Sequence, residues 1–546
     1  MIGAFASLSA SPPDLDVAIV GAGPAGVAVA LRLGAKGLKV GLFDAGGPKA
    51  DIAAQEDAFT AAAVAPERHP PLHLYRRRQL GGSSAIWGGR CIPFDSSDYD
   101  PIAQGDGAEW PIGQADVAPY VDEALAWLGA GLPQFTSEQA LPGEPAPLIG
   151  GTADPRLSMD HLERFSHPMD VWRAYGATLR ASANILVFAG CPCVEVLADG
   201  QTPVARGLVI AGPGGERLTL KPRVVVLAAG GLETPRLLLA SRSGRPAGLG
   251  NGADLVGRFY MTHLVIDCGV LTVTGPAALD YSTSTDGVYV RRLLQLTDAV
   301  RRERKVMNLI ARPTIPDMAD PAHKSAILSA GFLGKRFILA EYRRRLVSSH
   351  TQPPLAPHLM NIVRGAPDLA AFGLDWSRRR TFAARKLPSL FLKTQSRFPM
   401  ELVCEQAPYR ESRVNLAEGL DRLGLPRLNL QWKTGQAEVD TVQTTLDIFG
   451  EALGQSGAAS LSLTPDQVND PLAQSSPQGG HHIGTARMAA NASSGVVNGW
   501  GAMFEAENVF IVGSAVFPRS GAANPTLTLV ALAMRTADRI IAELGS

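Results

Sequence analysis

The chain has 546 residues, with 51 Lys+Arg balanced by 51 Asp+Glu and 46% hydrophobic residues. That length allows two or three domains around a large shared core. The balanced charge excludes a global field for drawing in nucleic acid or an anionic surface, and no window approaches the ~20 apolar residues of a membrane span. The start of the chain lacks a basic stretch and a long apolar run, so no secretory signal is expected. The five cysteines, Cys91, Cys191, Cys193, Cys268 and Cys404, are odd in number and sparse. That usage suits a reducing compartment, and a soluble, cytoplasmic protein is the expectation. Cys191-Pro192-Cys193 has no second Cys or His pair at ligand spacing, so it reads as two small residues in a strand or turn, with no metal site.

In chain order, the apolar run 17–20 reads as a buried parallel strand and the Ala-rich run 25–33 as a helix. Between them lies Gly21-Ala22-Gly23-Pro24-Ala25-Gly26. Gly21 permits the tight turn, Gly23 lets a pyrophosphate approach the backbone, and Gly26 lets helix and strand pack closely. The helix N-terminus adds free N–H groups and partial positive charge. A second strand, 39–43, ends in Asp44, which can accept from ribose hydroxyls. A further buried strand, 223–229, breaks into Gly230-Gly231 and a helix from about residue 233. A single NAD-binding half does not explain a unit so far along the chain. A long ligand touched by several distant segments does.

Breaks rich in Gly, Ser and Pro fall at 101–115, 242–253 and 472–479. Residues 300–395 carry Arg301-Arg302, Arg304-Lys305, Arg343-Arg344-Arg345 and Arg378-Arg379-Arg380 among Leu, Ile and Phe. The plain reading is a set of amphipathic helices with solvated basic faces. The sharper one is a docking surface for a membrane headgroup, a partner electron acceptor or an acidic or phosphorylated substrate. Runs 402–406 and 428–432 alternate as half-buried strands and would floor a site, with Gln406 a candidate substrate contact. Near the end stand His481-His482-Ile483-Gly484-Thr485-Ala486-Arg487-Met488, a strand 509–512 leading to Gly513-Ser514-Ala515, and Asn524-Pro525-Thr526 at the head of a helix 526–544.

These pieces resemble the glucose–methanol–choline (GMC) oxidoreductase family of FAD enzymes. The matching stretches are 17–47, Arg78-Gln79-Leu80-Gly81-Gly82-Ser83-Ser84-Ala85-Ile86-Trp87, 224–239, Gly257-Arg258-Phe259-Tyr260-Met261-Thr262-His263 and 478–544, about half the chain. Trp87 and the spacing His481-x-x-Gly484-Thr485-x-Arg487-Met488 are nearest to the pyranose oxidase-like branch. That branch joins a histidine covalently to its flavin where this chain has Ile86, so non-covalent FAD is implied. Its substrate loop is not recognisable after Glu405-Gln406, which leaves the exact sugar open.

The resemblance implies an α/β fold: a Rossmann-like FAD-binding domain of GMC type with an α+β substrate domain built on an antiparallel sheet. The expected division is FAD domain at 14–100, 181–263 and 475–546, a mixed substrate-side segment at 101–180, and a substrate domain with a basic helical insert at 264–474. FAD contacts carried over are Gly21, Gly23, Pro24, Ala25, Gly26, Asp44, Arg78, Gly82, Ser83, Ser84, Trp87, Val194 (where the family's backbone meets the adenine), Ala229, Gly513, Ser514, Pro525 and Thr526.

Oxidising an alcohol means taking the O–H proton and passing the C–H hydride to the flavin. A neutral imidazole suits the first task, and the family's spacing selects His481. Asn524 takes the second position, holding the substrate oxygen. His482, its neighbour on an extended segment, should face away toward backbone, FAD or substrate. The helix headed by Pro525 would stabilise an anionic reduced flavin. The reading is an FAD-dependent oxidoreductase acting on the CH–OH of a sugar or glycoside, with O2 or a quinone-like carrier as acceptor. Alternatives keep the fold and change the substrate to a sterol, choline-like or simple alcohol. A non-redox lyase with structural FAD and a non-catalytic flavin binder are also conceivable, and both are opposed by the intact pair His481 and Asn524.

Overall fold

Short β-branched runs too apolar for a solvent-facing strand build the first layer of the computed structural model. It describes residues 2–66, 69–144, 147–167, 170–334, 354–391 and 396–545. A seven-stranded sheet runs Ile2–Gly3, Ile185–Ala189, Val40–Asp44, Val17–Val20, Val224–Leu227, Ala506–Ile511, Ala502–Met503, parallel except for the last pair. Every residue of the strands Val17–Val20, Val40–Asp44 and Val224–Leu227 is buried, as expected where both faces of a parallel sheet are covered. The helices Pro24–Ala35 and Thr526–Gly545 pack together over one face.

The glycine fingerprint behaves as its spacing predicts. Gly21 has φ +103°, closed to most side chains. A Cβ on Gly26 would lie 1.9 Å from the Gly21 carbonyl oxygen, so only glycine lets the helix meet the turn. The second helix begins at Gly230, three residues earlier than expected, and runs Gly230–Ala240 with Pro235 inside it.

A second, antiparallel sheet of seven strands runs Ala459–Ser462, Leu264–Val273, Arg397–Cys404, Leu309–Pro313, Leu294–Leu296, Leu157–Ser158, with Ser475–Pro477 also on the Leu264–Val273 strand. The helix Gln436–Ser456 covers it with an apolar face. A four-stranded sheet, Ser282–Thr283, Tyr289–Arg292, Leu162–Phe165, Arg90–Cys91, closes the space between the layers.

The basic region meets the solvated-face expectation only in part: Arg302, Arg304 and Lys305 are exposed, and Arg301 is not. Arg301 is buried, ion-paired with Asp95, Asp98 and Asp298. The helix Leu355–Arg364 exposes Leu355, Leu359, Met360 and Val363, so its outer face is apolar. Arg380 donates to the carbonyls of Leu387 and Pro388, closing its own turn. Arg343, Arg344 and Arg345 lie outside the described residues. Among the described residues no helix is long and apolar enough to cross a membrane, and all five cysteines are buried and unpaired in disulfides.

Candidate active site

A cavity of about 330 Å³ runs along the carboxyl ends of the parallel strands, where α/β sheets hold their ligands. Gly21, Gly23, Pro24 and Ala25 line it, with Asp44, Arg78, Gly82, Ser83, Ser84 and Trp87. Ala229, Gly513, Ser514, Pro525 and Thr526 line it too, as do His481, His482 and Asn524. Gly23 and Gly513 have nothing within 4 Å of where a Cβ would sit. Their backbones are thus laid open to the cavity. Asp44 accepts from the backbone N–H of Ala22 and of Gly46, both at 2.8 Å. Burial nevertheless pushes its carboxyl up to about 6, against those two bonds and the pull of Arg78. Ile86 lies in the wall and offers no nucleophile to a flavin.

Three expectations need correction or refinement. Gly26 acts in packing rather than in the cavity wall. Val194 is turned into a small core with Val209 and Ala211, and Pro192 and Cys193 form the wall beside it. Gln406 is no substrate contact. It is fully buried, its amide oxygen accepts from Thr262 N–H and Trp432 Nε1–H, and its NH2 donates to the Lys433 carbonyl. Its backbone N–H donates to Ser520 Oγ at 3.0 Å, so it braces the loop before Asn524.

His481 is held by its backbone N–H on the Gln478 carbonyl and by the pairing of Met261 with Ile483 in both directions at 3.0 Å. That pairing sets His263 against it, Nδ1 to Nδ1 at 2.8 Å. His263 Nε2 lies 3.1 Å from the Ser520 carbonyl. A carbonyl only accepts, so His263 carries its proton on Nε2, and its Nδ1 must accept. The Nδ1–H of His481 therefore donates, which leaves the His481 Nε2 lone pair as the ring's acceptor. Asn524 Nδ2 stands 3.4 Å from that nitrogen, a long contact. Both rings are neutral. Burial lowers His263 to about 4 against the pull of the Ser520 carbonyl. Burial, then His263, His482, Arg90 and Arg312, put His481 well below its ordinary value.

His482 has a relay of its own. His69 Nδ1–H donates to the Pro70 carbonyl at 2.8 Å, so His69 Nε2 accepts from the Tyr260 hydroxyl at 3.1 Å. The Tyr260 oxygen then accepts from His482 Nδ1–H at 2.9 Å. His482 Nε2 is left as a buried acceptor with no partner among the described residues, on the cavity wall. His482 thus faces the larger cavity, where FAD or substrate contact was expected of it. It enters it beside His481.

Sequence reading missed His263, His69 and Tyr260 as participants, although His263 and Tyr260 stood inside a quoted stretch. It also missed a second, smaller cavity that meets the first at Arg90, Gln478, His481 and Asn524. The loop carrying Asn524 is pinned by a buried pair: Arg519 Nε and Nη2 donate to the two oxygens of Glu405 at 3.0 and 2.8 Å.

Comparison with known proteins gives three kinds of match. The family model described as GMC oxidoreductase matches residues 408–533. Among curated relatives, the chain is 24% identical to a 2-methyl-1,2-propanediol dehydrogenase of Mycolicibacterium austroafricanum, covering 98% of this chain and 96% of the relative. It is 23% identical to a paromamine 6'-oxidase of Streptomyces fradiae (97% and 92%). It is 24% identical to a C-glycoside 3-oxidase of Microbacterium trichothecenolyticum (98% and 99%). Among solved structures, a formate oxidase aligns with TM-score 0.54 at 16% identity over 97% of this chain and 98% of its own. A pyridoxine 4-oxidase from Mesorbium loti aligns with TM-score 0.51 at 16% identity (96% and 99%). The open glycine backbones, the buried Asp44 and the long cavity fit FAD, the cofactor of this family.

Proposed function

We propose, for a chain that belongs to the GMC oxidoreductase family and is an FAD-dependent enzyme acting on alcohols, that it oxidises a CH–OH group of a sugar or glycoside to a ketone, with His481 as base. The observation that carries this reading is the Nε2 lone pair of His481, set by His263 and the Ser520 carbonyl and facing the Asn524 amide. A substrate hydroxyl placed between them can donate to His481 Nε2 while accepting from Asn524 Nδ2–H. The Gly21–Gly26 turn, Asp44 and the Gly513–Ser514 turn would hold FAD along the cavity, and when bound it would supply the acceptor for the hydride. His481 takes the hydroxyl proton, and the resulting positive imidazole shares its Nδ1–H with His263. Asn524 keeps its donor on the oxygen as charge grows there. The alcohol thus loses a proton and a hydride, and its C–O bond becomes C=O.

The sugar or glycoside class is supported by two oxidase relatives, named for paromamine and for C-glycosides. The relatives include both dehydrogenases and oxidases, so the acceptor is read as O2 or a quinone-like carrier. The domain division at 14–100, 181–263 and 475–546 for FAD, with 264–474 for substrate, is part of the same proposal.

The test is anaerobic bleaching of the bound flavin across sugars, glycosides, sterols, choline and simple alcohols, followed by admission of air. Bleaching by a sugar or glycoside supports the reading, and air reports whether oxygen is the acceptor. Bleaching only by sterols or choline moves the substrate class. A flavin that dithionite reduces but no alcohol does refutes alcohol oxidation.

A further inference from the structure

The smaller cavity, about 100 Å³, shares Arg90, Gln478, His481 and Asn524 with the larger one. Its wall includes Arg90, Arg291, Arg312, Tyr281 and Glu401. The three arginines converge because two sheets meet here. Strand register puts Arg291 opposite Glu163 on one sheet and Arg312 opposite Glu401 on the other, while Arg90 comes from the edge strand Arg90–Cys91.

Glu163 is fully buried behind the wall. Burial works to raise its carboxyl, but Arg291, Arg312 and Arg90 outweigh that and hold it at about 2. Arg291 Nε donates to Glu163 Oε1 at 2.7 Å. Glu163 Oε2 lies 3.1 Å from Arg312 Nη2 and Glu401 Oε1 3.5 Å from Arg312 Nη1, neither aligned as a hydrogen bond. Arg312 is 1% exposed, and its three guanidinium nitrogens have no hydrogen-bond partner among the described residues. Among the described residues, Arg312 is thus the guanidinium on this wall with all of its donors unmet. A buried donor left unmade is costly, and a guanidinium fork best satisfies an oxyanion.

We propose that this cavity is an anion subsite, and that the alcohol this protein oxidises carries a carboxylate or a phosphate held there by Arg312, beside Arg90 and Arg291. The inference rests on the alcohol-oxidising reading of His481 and Asn524 for the word substrate, but the anion site stands on the arginines alone. It narrows the sugar class to acidic or phosphorylated members. The same positive wall repels a choline-like cation.

The experiment uses the holoenzyme. Acetate and inorganic phosphate are titrated against chloride at equal ionic strength, following the flavin absorbance, which reports a ligand beside the ring. In parallel, glucuronate, glucuronamide, glucose and glucose 6-phosphate are compared for anaerobic flavin reduction. The expectation is saturable perturbation by acetate or by phosphate, whichever anion the site takes, weakened about tenfold or more by Arg312→Gln and partly restored by Arg312→Lys. The anionic member of a matched substrate pair should exceed its neutral partner about tenfold or more in kcat/KM. Flavin content of each variant separates a lost site from a lost fold. Absence of any anion effect beyond chloride, or preference for the neutral partners, overturns the subsite. If neutral alcohols bleach the flavin and anions do not bind, this inference falls and alcohol oxidation stands. If anions bind and no alcohol bleaches the flavin, the reverse holds.

Discussion

His481 and His482 are adjacent, both neutral, and each is backed by a chain of hydrogen bonds that ends on a backbone carbonyl. The chains differ in what they leave at the free end. The first, through His263 to Ser520, puts a lone pair opposite Asn524 where the two cavities meet. The second, through Tyr260 and His69 to Pro70, puts a lone pair on the wall of the larger cavity only, with no partner among the described residues. An acceptor facing an amide donor and a substrate cavity is built to take a proton. An acceptor facing only the cofactor cavity is built to hold something that donates, such as a hydroxyl or N–H of FAD. On the proposed reading, identical side chains are thus divided between chemistry and binding by their second partners.

The sharpest way to break this division is to remove each ring in turn. His481→Ala should lower the rate of anaerobic flavin reduction at least about 10²-fold, the scale of general-base loss, with FAD retained. His482→Ala should instead weaken FAD binding, read by titrating the apoprotein, by about tenfold for one lost hydrogen bond to a buried acceptor. If His482→Ala carries the rate loss and His481→Ala does not, the roles are reversed by one residue.

The two rings also show where sequence ceased to be informative. The turn at Gly21–Gly26, the strands around Val17–Val20 and Val224–Leu227 and the pairing of His481 with Asn524 were legible. Local backbone geometry demands the residue types of the turn and the strands at those spacings, whereas the pair His481 and Asn524 was implied only by the family resemblance. His263 and Arg312 were not, because their roles come from convergence of segments far apart in the chain. Nothing local says that Met261 pairs with Ile483, or that Arg312 falls opposite Glu401. Gln406 failed for the complementary reason. Alternation placed it on a strand, but its amide is consumed by Thr262, Trp432 and Lys433. Arg301 looked like part of a solvated basic face until the fold brought three aspartates to it.

A smaller effect tests the first relay itself. His263→Leu removes the acceptor for His481 Nδ1–H, so the ring can turn or change tautomer and the Nε2 lone pair is no longer fixed. The limiting rate of reduction should fall about tenfold, with KM nearly unchanged, because an orienting partner contributes less than the base it orients. His263→Gln, whose amide oxygen can accept the same proton, should recover part of the loss. A change in KM alone would mean that His263 shapes the substrate site and does not set the base.

The pH profile follows from the same burial. The base works only when neutral, and His481 is held well below its ordinary value by burial and by the neighbouring His263, His482, Arg90 and Arg312. The active form therefore persists as pH falls through 6.5, and the reduction rate is lost only when pH drops through the depressed value. Stopped-flow reduction measured from pH 8 down to about 5 should be nearly flat on its acid side. An acid limb centred at or above about 6.5 would show that His481 is not the titrating base.

Tyr260→Phe should give the smallest effect and the cleanest separation of the two relays. The ring stays and packs as before, while the hydroxyl that accepts from His482 and donates to His69 is gone. His482 Nδ1–H then loses its acceptor, and its proton can move to Nε2, turning the cavity-facing acceptor into a donor. A cofactor group that donates would meet a donor in that fraction of molecules. FAD affinity should fall by about two- to fivefold, less than for His482→Ala, as expected when a hydrogen bond is loosened and not removed. The reduction rate should hold, because the chain from Ser520 through His263 to His481 contains no atom of Tyr260. Equal losses of rate and affinity would mean that the two relays act as one network, and the division of labour between the adjacent histidines would have to be abandoned.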